Sequence, residues 1–204
     1  MKITAIKTQV KRAGRYSIFV DGKFCFGLSS DALIDSKIMV GLEINPQKVI
    51  EYKKLSDDDK IYNQVLNYIA IRPRSEWEIK SYLTRKGASP TLLDSILSKL
   101  TIIDLINDNK FAEAFVRDRR LLRSSSRRKL ILELRKKRVP DSAIQAAVGN
   151  EPEVETSALK DMIAKKRKQS RYQDDLKLMQ YLARQGFGYG DIKDALKNNL
   201  ESED

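Results

Sequence analysis

The sequence predicts a mostly α-helical protein: three tandem three-helix repeats forming an elongated array, preceded by a small antiparallel β-hairpin or sheet extension. Three observations carry that expectation. Alternating, strand-like patterns are confined to the first 55 residues or so, and from Ser56 the apolar residues fall at helical spacing. A set of apolar anchors then recurs at near-constant separation. The expected divisions are 1–55 for the β-rich extension and 56–104, 105–152 and 153–204 for the three repeats.

In the extension, Tyr16, Ile18 and Val20 alternate with polar neighbours, and Phe24, Phe26 and Leu28 repeat the pattern. Asp21-Gly22 between them suits a two-residue type I′ hairpin, which needs positive φ at both positions. Ile3 to Val10 and Ile38 to Ile44 read as two further short strands. Cys25, flanked by Phe24 and Phe26, reads as an inert buried thiol.

Ser56, with Asp59 three residues on, reads as a helix start, and Pro73 closes the run that follows. Ser75 and Glu78 form a capping box for a helix over 76–86, with Gly87 where a left-handed C-cap belongs. Ser89-Pro90 opens a third helix, with Pro at its first position. The arrangement then recurs. Leu83, Leu134 and Leu182 serve as equivalent anchors; Ile79, Leu130 and Leu178 precede them by four. Leu93, Ile144 and Ile192 follow by ten, and Leu97, Val148 and Leu196 by fourteen. Gly87, Arg138 and Gly186 occupy the position four past each anchor. Leading helices are expected over 61–70, 111–121 and 159–166.

Composition narrows the chemistry. The chain of 204 residues contains no His, which removes the commonest general base and metal ligand together, and its one Cys cannot make an internal disulfide. Asp57-Asp58-Asp59 and Asp174-Asp175 read as negatively charged helix N-termini, and Asp104 and Asp108, on the approach to Phe111, have no recognisable catalytic spacing. With no phosphate-cradling Gly loop either, the sequence offers no catalytic residue, no metal site and no cofactor, and the expected protein is not an enzyme. No apolar stretch approaches a membrane span or a signal peptide, so a cytoplasmic protein without membrane partners is expected.

A formal net charge of +11 favours an anionic partner, nucleic acid first and an acidic protein surface second. The basic residues concentrate in the second repeat, as Arg117, Arg119, Arg120, Arg123, Arg127, Arg128, Lys129, Arg135, Lys136, Lys137 and Arg138, opposed between those limits only by Asp118 and Glu133. Leu130, Ile131 and Leu134 turn inward on a helix from about Arg127, which leaves Arg128, Arg135 and Lys136 outward. Arginine predominates early in the run and suits bidentate contact with phosphate or carboxylate. Lys165, Lys166, Arg167, Lys168 and Arg171 form a second cluster, which extends that surface or complements a helix C-terminus. Trp77, Tyr172, Tyr181, Phe187 and Tyr189 are assigned to packing rather than to base stacking.

Several stretches resemble the RecX family of bacterial regulators: RPRSEWEIKSYLTRKG at 72–87, LINDNKFA at 105–112, FVRDR at 115–119, YLARQGFGYGDI at 181–192, and FCFGLSSDAL at 24–33 within the extension. The resemblance implies a monomeric modulator of the RecA recombinase that binds in the groove of the RecA–single-stranded DNA filament. There it restrains filament growth, ATP hydrolysis and strand exchange. Contacts to single-stranded or double-stranded DNA would come from the basic clusters. The sequence departs from the family pattern at Ser124-Ser125-Ser126 and at Arg138, where a Gly is usual. A general nucleic-acid-binding repeat protein is the alternative.

Overall fold

The computed structural model describes the backbone over residues 1–200 and side chains as far as Lys197. It is mostly helical with one small sheet, and the chain divides into two compact units, residues 1–73 with 79–105 and residues 74–78 with 106–204.

The first unit opens with β1 (Ile3–Thr8), β2 (Arg15–Val20) and β3 (Lys23–Ser29), an antiparallel sheet in the order β1-β2-β3. The β2–β3 turn takes positive φ at both Asp21 (47°) and Gly22 (79°), the type I′ geometry the Asp-Gly pair predicts. Ile18 pairs with Phe26 but Phe19 with Phe24, so Cys25 is an extra residue in a bulge. The alternation therefore breaks there. Phe26 and Leu28 are buried, whereas Phe24 is 61% exposed and meets Phe19 edge-on; Cys25 is half-buried rather than buried. The expected strand over 38–44 reduces to a single bridge, Lys2 to Glu43, because backbone bonds from Ile3 to Leu42 and from Gly41 to Ile3 tie a bent segment to the sheet edge. A short helix, α1 (Ser30–Asp35), follows β3 unannounced.

The next helix corrects the reading at Ser56. α2 (Pro46–Ile71) starts ten residues earlier, capped by Asn45 Oδ1 on the Lys48 N–H, with Pro46 in its first turn. Ser56 and Asp59 lie mid-helix and reach the sheet instead of capping anything. Ser56 Oγ donates to the Gly27 carbonyl at 2.6 Å. Asp59 is buried, accepts from the Ser29 N–H at 2.9 Å and from Asn63 Nδ2, and pairs with Arg15 at 3.2 Å. A buried ion pair persists where its remaining lone pairs are satisfied, as these are. Asp58 beside it keeps its carboxyl above the ordinary range through burial, with Lys54 opposing.

α3 (Glu76–Arg85) and α4 (Pro90–Ile102) complete the first repeat. The capping box forms in both directions, Glu78 N–H to Ser75 Oγ and Ser75 N–H to Glu78 Oε2. On α4 the deepest positions are Ile96 and Leu100, one step round the face from Leu93 and Leu97, which are only half-buried.

In the second unit, α5 (Asp108–Arg123), α6 (Arg127–Lys136) and α7 (Asp141–Val148) enclose the second repeat's core of Phe111, Val116, Leu130, Leu134, Ile144 and Val148. α8 (Pro152–Arg167), α9 (Asp175–Arg184) and α10 (Tyr189–Leu200) build the third on Leu159, Ile163, Leu178, Leu182, Phe187 and Ile192. Tyr172 and Tyr181 pack on that core, but Tyr189 is 67% exposed and Trp77 of the first repeat 45% exposed, so neither fills the packing role expected. The three anchors share one terminator. The carbonyls of Leu83, Leu134 and Leu182 accept from the N–H groups of Ala88, Val139 and Phe187, closing a Schellman turn each time. The intervening left-handed residues are Gly87, Arg138 and Gly186, with φ of 78°, 56° and 97°.

Candidate functional site

The basic face is built on α5 and α6, whose amphipathic patterns turn Phe111, Val116, Leu130 and Leu134 inward and leave the cations outside. Much of that positive charge is engaged within the protein. Arg120 Nη2 donates to the Val148 carbonyl at 2.6 Å, and Arg127 donates through Nε to the Gly149 carbonyl at 2.9 Å and through Nη2 to Gln145 Oε1. Together they cap the C-terminal end of α7, where unpaired carbonyls and the helix dipole favour cations. Arg119 pairs with Glu133 at 2.8 Å over the Phe115 ring. Lys137, near Phe111 and Phe115, pairs with Glu78 at 2.9 Å with both side chains largely covered.

A polar joint occurs twice within this unit, a role the sequence reading did not assign to its residues. Ser75 Oγ donates to the Lys137 carbonyl at 2.9 Å, and its counterpart Ser126 donates to the Gln185 carbonyl at 2.6 Å. Each serine precedes its Leu anchor by eight, and each acceptor follows the next anchor by three. The residue after each serine presents its N–H to a carboxylate, Glu76 to Asp108 and Arg127 to Glu155. Burial holds both carboxyls above the ordinary range, and those backbone N–H bonds oppose it. Asp174, at the same position before its anchor, caps α9 as expected; the Lys177 N–H holds its carboxyl below the ordinary range.

The predicted site residues thus divide. Arg119, Arg120 and Arg127 hold the second repeat together, and Lys137 ties it to Glu78 of α3. Arg135 makes a surface pair with Asp141 at 3.0 Å, and Arg117 a looser one with Asp118 at 3.6 Å. Arg123, Arg128, Lys136 and Arg138 are exposed and have no hydrogen-bonding or ionic side-chain partner among the described residues. In the second cluster, Arg167 donates to the Tyr172 and Gln173 carbonyls and pairs with Asp175, while Lys166 sits over the Tyr172 and Tyr181 rings. Lys165 and Lys168 are exposed and have no ionic or hydrogen-bonding partner among the described residues. Among the described residues no group of three or more Cys, Asp or Glu is placed to hold a metal ion, and no helix is long and apolar enough to cross a membrane.

Comparison with known proteins follows the same organisation. Residues 1–45 match the RecX N-terminal domain, residues 62–100 the first RecX three-helix domain, and residues 107–148 the second. The chain belongs to the RecX family. It is 31% identical to regulatory protein RecX of Lactobacillus johnsonii over 70% of this chain, a match spanning 52% of that relative's length. With regulatory protein RecX of Bacillus subtilis it shares 27% identity over 98% of this chain and 78% of the relative. A crystal structure of regulatory protein RecX superposes with a TM-score of 0.72 at 29% identity, covering 95% of this chain and 98% of the other. RecX from Lactobacillus salivarius gives 0.59 at 25% identity, over 70% and 96%.

The serine run before α6 and Arg138 after it each have a visible role. Ser124 takes the left-handed C-cap of α5 (φ 46°), Ser125 is buried, and Ser126 both caps α6 and makes the joint to Gln185. Arg138 occupies the left-handed position that glycine fills in the first and third repeats, and adds an outward cation at the end of α6.

Proposed function

We propose that this chain regulates RecA without catalysing a reaction: it binds the RecA–single-stranded DNA filament in its helical groove and restrains ATP hydrolysis, filament extension and strand exchange. It would act as a cytoplasmic monomer in DNA repair and recombination and in the SOS response. Membership of a family of regulatory proteins supports the reading. The observation that carries it is the unpaired outward set on the second repeat, Arg123, Arg128, Lys136 and Arg138, beside Arg119, Arg120 and Arg127, which are occupied within the protein. Lys165 and Lys168 extend that set, and the first and third repeats provide reach.

The test is a titration into preassembled RecA filaments on long single-stranded DNA, following ATP hydrolysis. Inhibition well below one molecule per RecA supports action on the filament. Inhibition only at amounts that coat the DNA identifies a competitor for phosphate, the general nucleic-acid-binding alternative.

A further inference from the structure

One exposed surface of the second repeat is unsuited to phosphate. Between α5 and α7 runs a groove of about 370 Å³ lined by the apolar residues Val116, Leu121, Ala146 and Ala147. Leu121 is 77% exposed and Leu122, on the adjoining side of the last turn of α5, is 72% exposed. Large apolar side chains at such exposure gain nothing from a sugar-phosphate backbone, whereas clustered on a groove they are characteristic of protein interfaces. Their setting is cationic. Arg117 and Arg120 line the same groove, and Arg123 stands one turn past Arg120 along α5 with no partner. Glu113, at the far end, is the one acidic lining residue. Arg120 is fixed in place by its bond to the Val148 carbonyl, which leaves Arg117 and Arg123 to turn toward an incoming group.

We propose that this groove is a protein-docking surface for an acidic segment carrying apolar side chains, the apolar groups entering between α5 and α7 and the carboxylates meeting Arg117 and Arg123. The inference rests on the filament-binding reading above and names the partner within that filament: the segment belongs to the recombinase, not to the DNA. Arginine forks bind carboxylates in bidentate fashion, and the neighbouring leucines exclude water from those pairs. The second repeat then has two working surfaces, the α5–α7 groove for protein and the outward side of α6, with Arg128, Lys136 and Arg138, for phosphate.

The experiment compares affinities for RecA–single-stranded DNA filaments and for the bare strand. It uses two charge-neutral variants at exposed positions, L121Q/L122Q and A146Q, each checked for an unchanged thermal melt. Both are expected to weaken filament binding by about tenfold or more, the scale of losing a well-packed apolar anchor, and to leave affinity for bare single-stranded DNA unchanged. Unchanged filament binding overturns the inference, and so does a parallel loss on both ligands, which would assign the groove to nucleic acid. If the unaltered protein does not bind filaments at all, the regulatory reading itself falls.

Discussion

The second and third repeats share one plan, with a leading helix of 16 residues, a Leu anchor buried on the middle helix and a Schellman turn behind it. They differ at the left-handed position after the anchor. At Gly186 a Cβ would stand 2.7 Å from Ser126 Oγ and 3.3 Å from Arg128 Cβ, so the joint closes only around a glycine. The corresponding joint at Ser75 and Lys137 tolerates Arg138 in the same conformation. The second repeat also caps α7 with two arginines of its own and still leaves four cations outward. The comparison teaches that charge density and ligand-binding capacity are separate quantities: a basic run is first depleted by the carbonyls and carboxylates of its own fold.

The largest effect should come from filling the tighter joint. Gly186→Ala places a Cβ against Ser126 Oγ at a left-handed φ and should lower stability by about 2–3 kcal/mol, read as a fall in the thermal midpoint. Next comes Arg127→Ala, which frees the Gly149 carbonyl and should cost about 1–2 kcal/mol, whereas Arg128→Ala, with no internal partner, should cost almost nothing.

Glu155 sharpens the comparison through pH. Because its carboxyl lies above the ordinary value, the folded chain holds that proton more tightly than the unfolded chain does. Burial of the charge therefore detracts from stability at neutral pH, and the loss is relieved as the pH falls through the folded pKa. Glu155→Gln keeps an acceptor for the Arg127 N–H, so stability at neutral pH should be unchanged or higher and the acid-side dependence flatter. Glu155→Ala should instead cost about 1 kcal/mol, as loss of a helix cap does. A small gain is expected from Arg138→Gly, which relieves a left-handed side chain and should raise stability by under about 1 kcal/mol while removing one outward cation.

Local chemistry was legible in the sequence wherever it is self-contained. The Asp21-Gly22 turn, the Ser75–Glu78 box, the Ser89-Pro90 start and the Leu anchors all form as read, because each depends on residues within one turn or one helix. The readings that failed at Ser56, Asp59, Arg120 and Arg127 depend on distant partners. Ser56 and Asp59 carry N-cap chemistry, yet their partners lie in β3, about thirty residues away, so α2 runs through them. Likewise Arg120 and Arg127 read as available to a ligand from sequence alone, whereas their guanidinium groups are taken by the Val148 and Gly149 carbonyls. The period that aligned the repeats could have exposed the Ser75 and Ser126 joint, since both serines stand eight before their anchors; the acceptors, a backbone carbonyl each, carry no sequence signal.

The central claim is that the unpaired cations of the second repeat, not the arginines engaged within its fold, contact nucleic acid. It is tested most directly by the salt dependence of binding to single-stranded DNA and to RecA filaments on it, for two variants beside the unaltered protein. R128Q/K136Q/R138Q removes three outward charges and should flatten the slope of log affinity against log salt on bare strand by about 2, with weaker filament binding as well. R119Q/R120Q/R127Q removes three inward charges and should lower the thermal midpoint while leaving the slope nearly unchanged. Equal slopes for the two variants would contradict the account, because net charge alone would then govern binding.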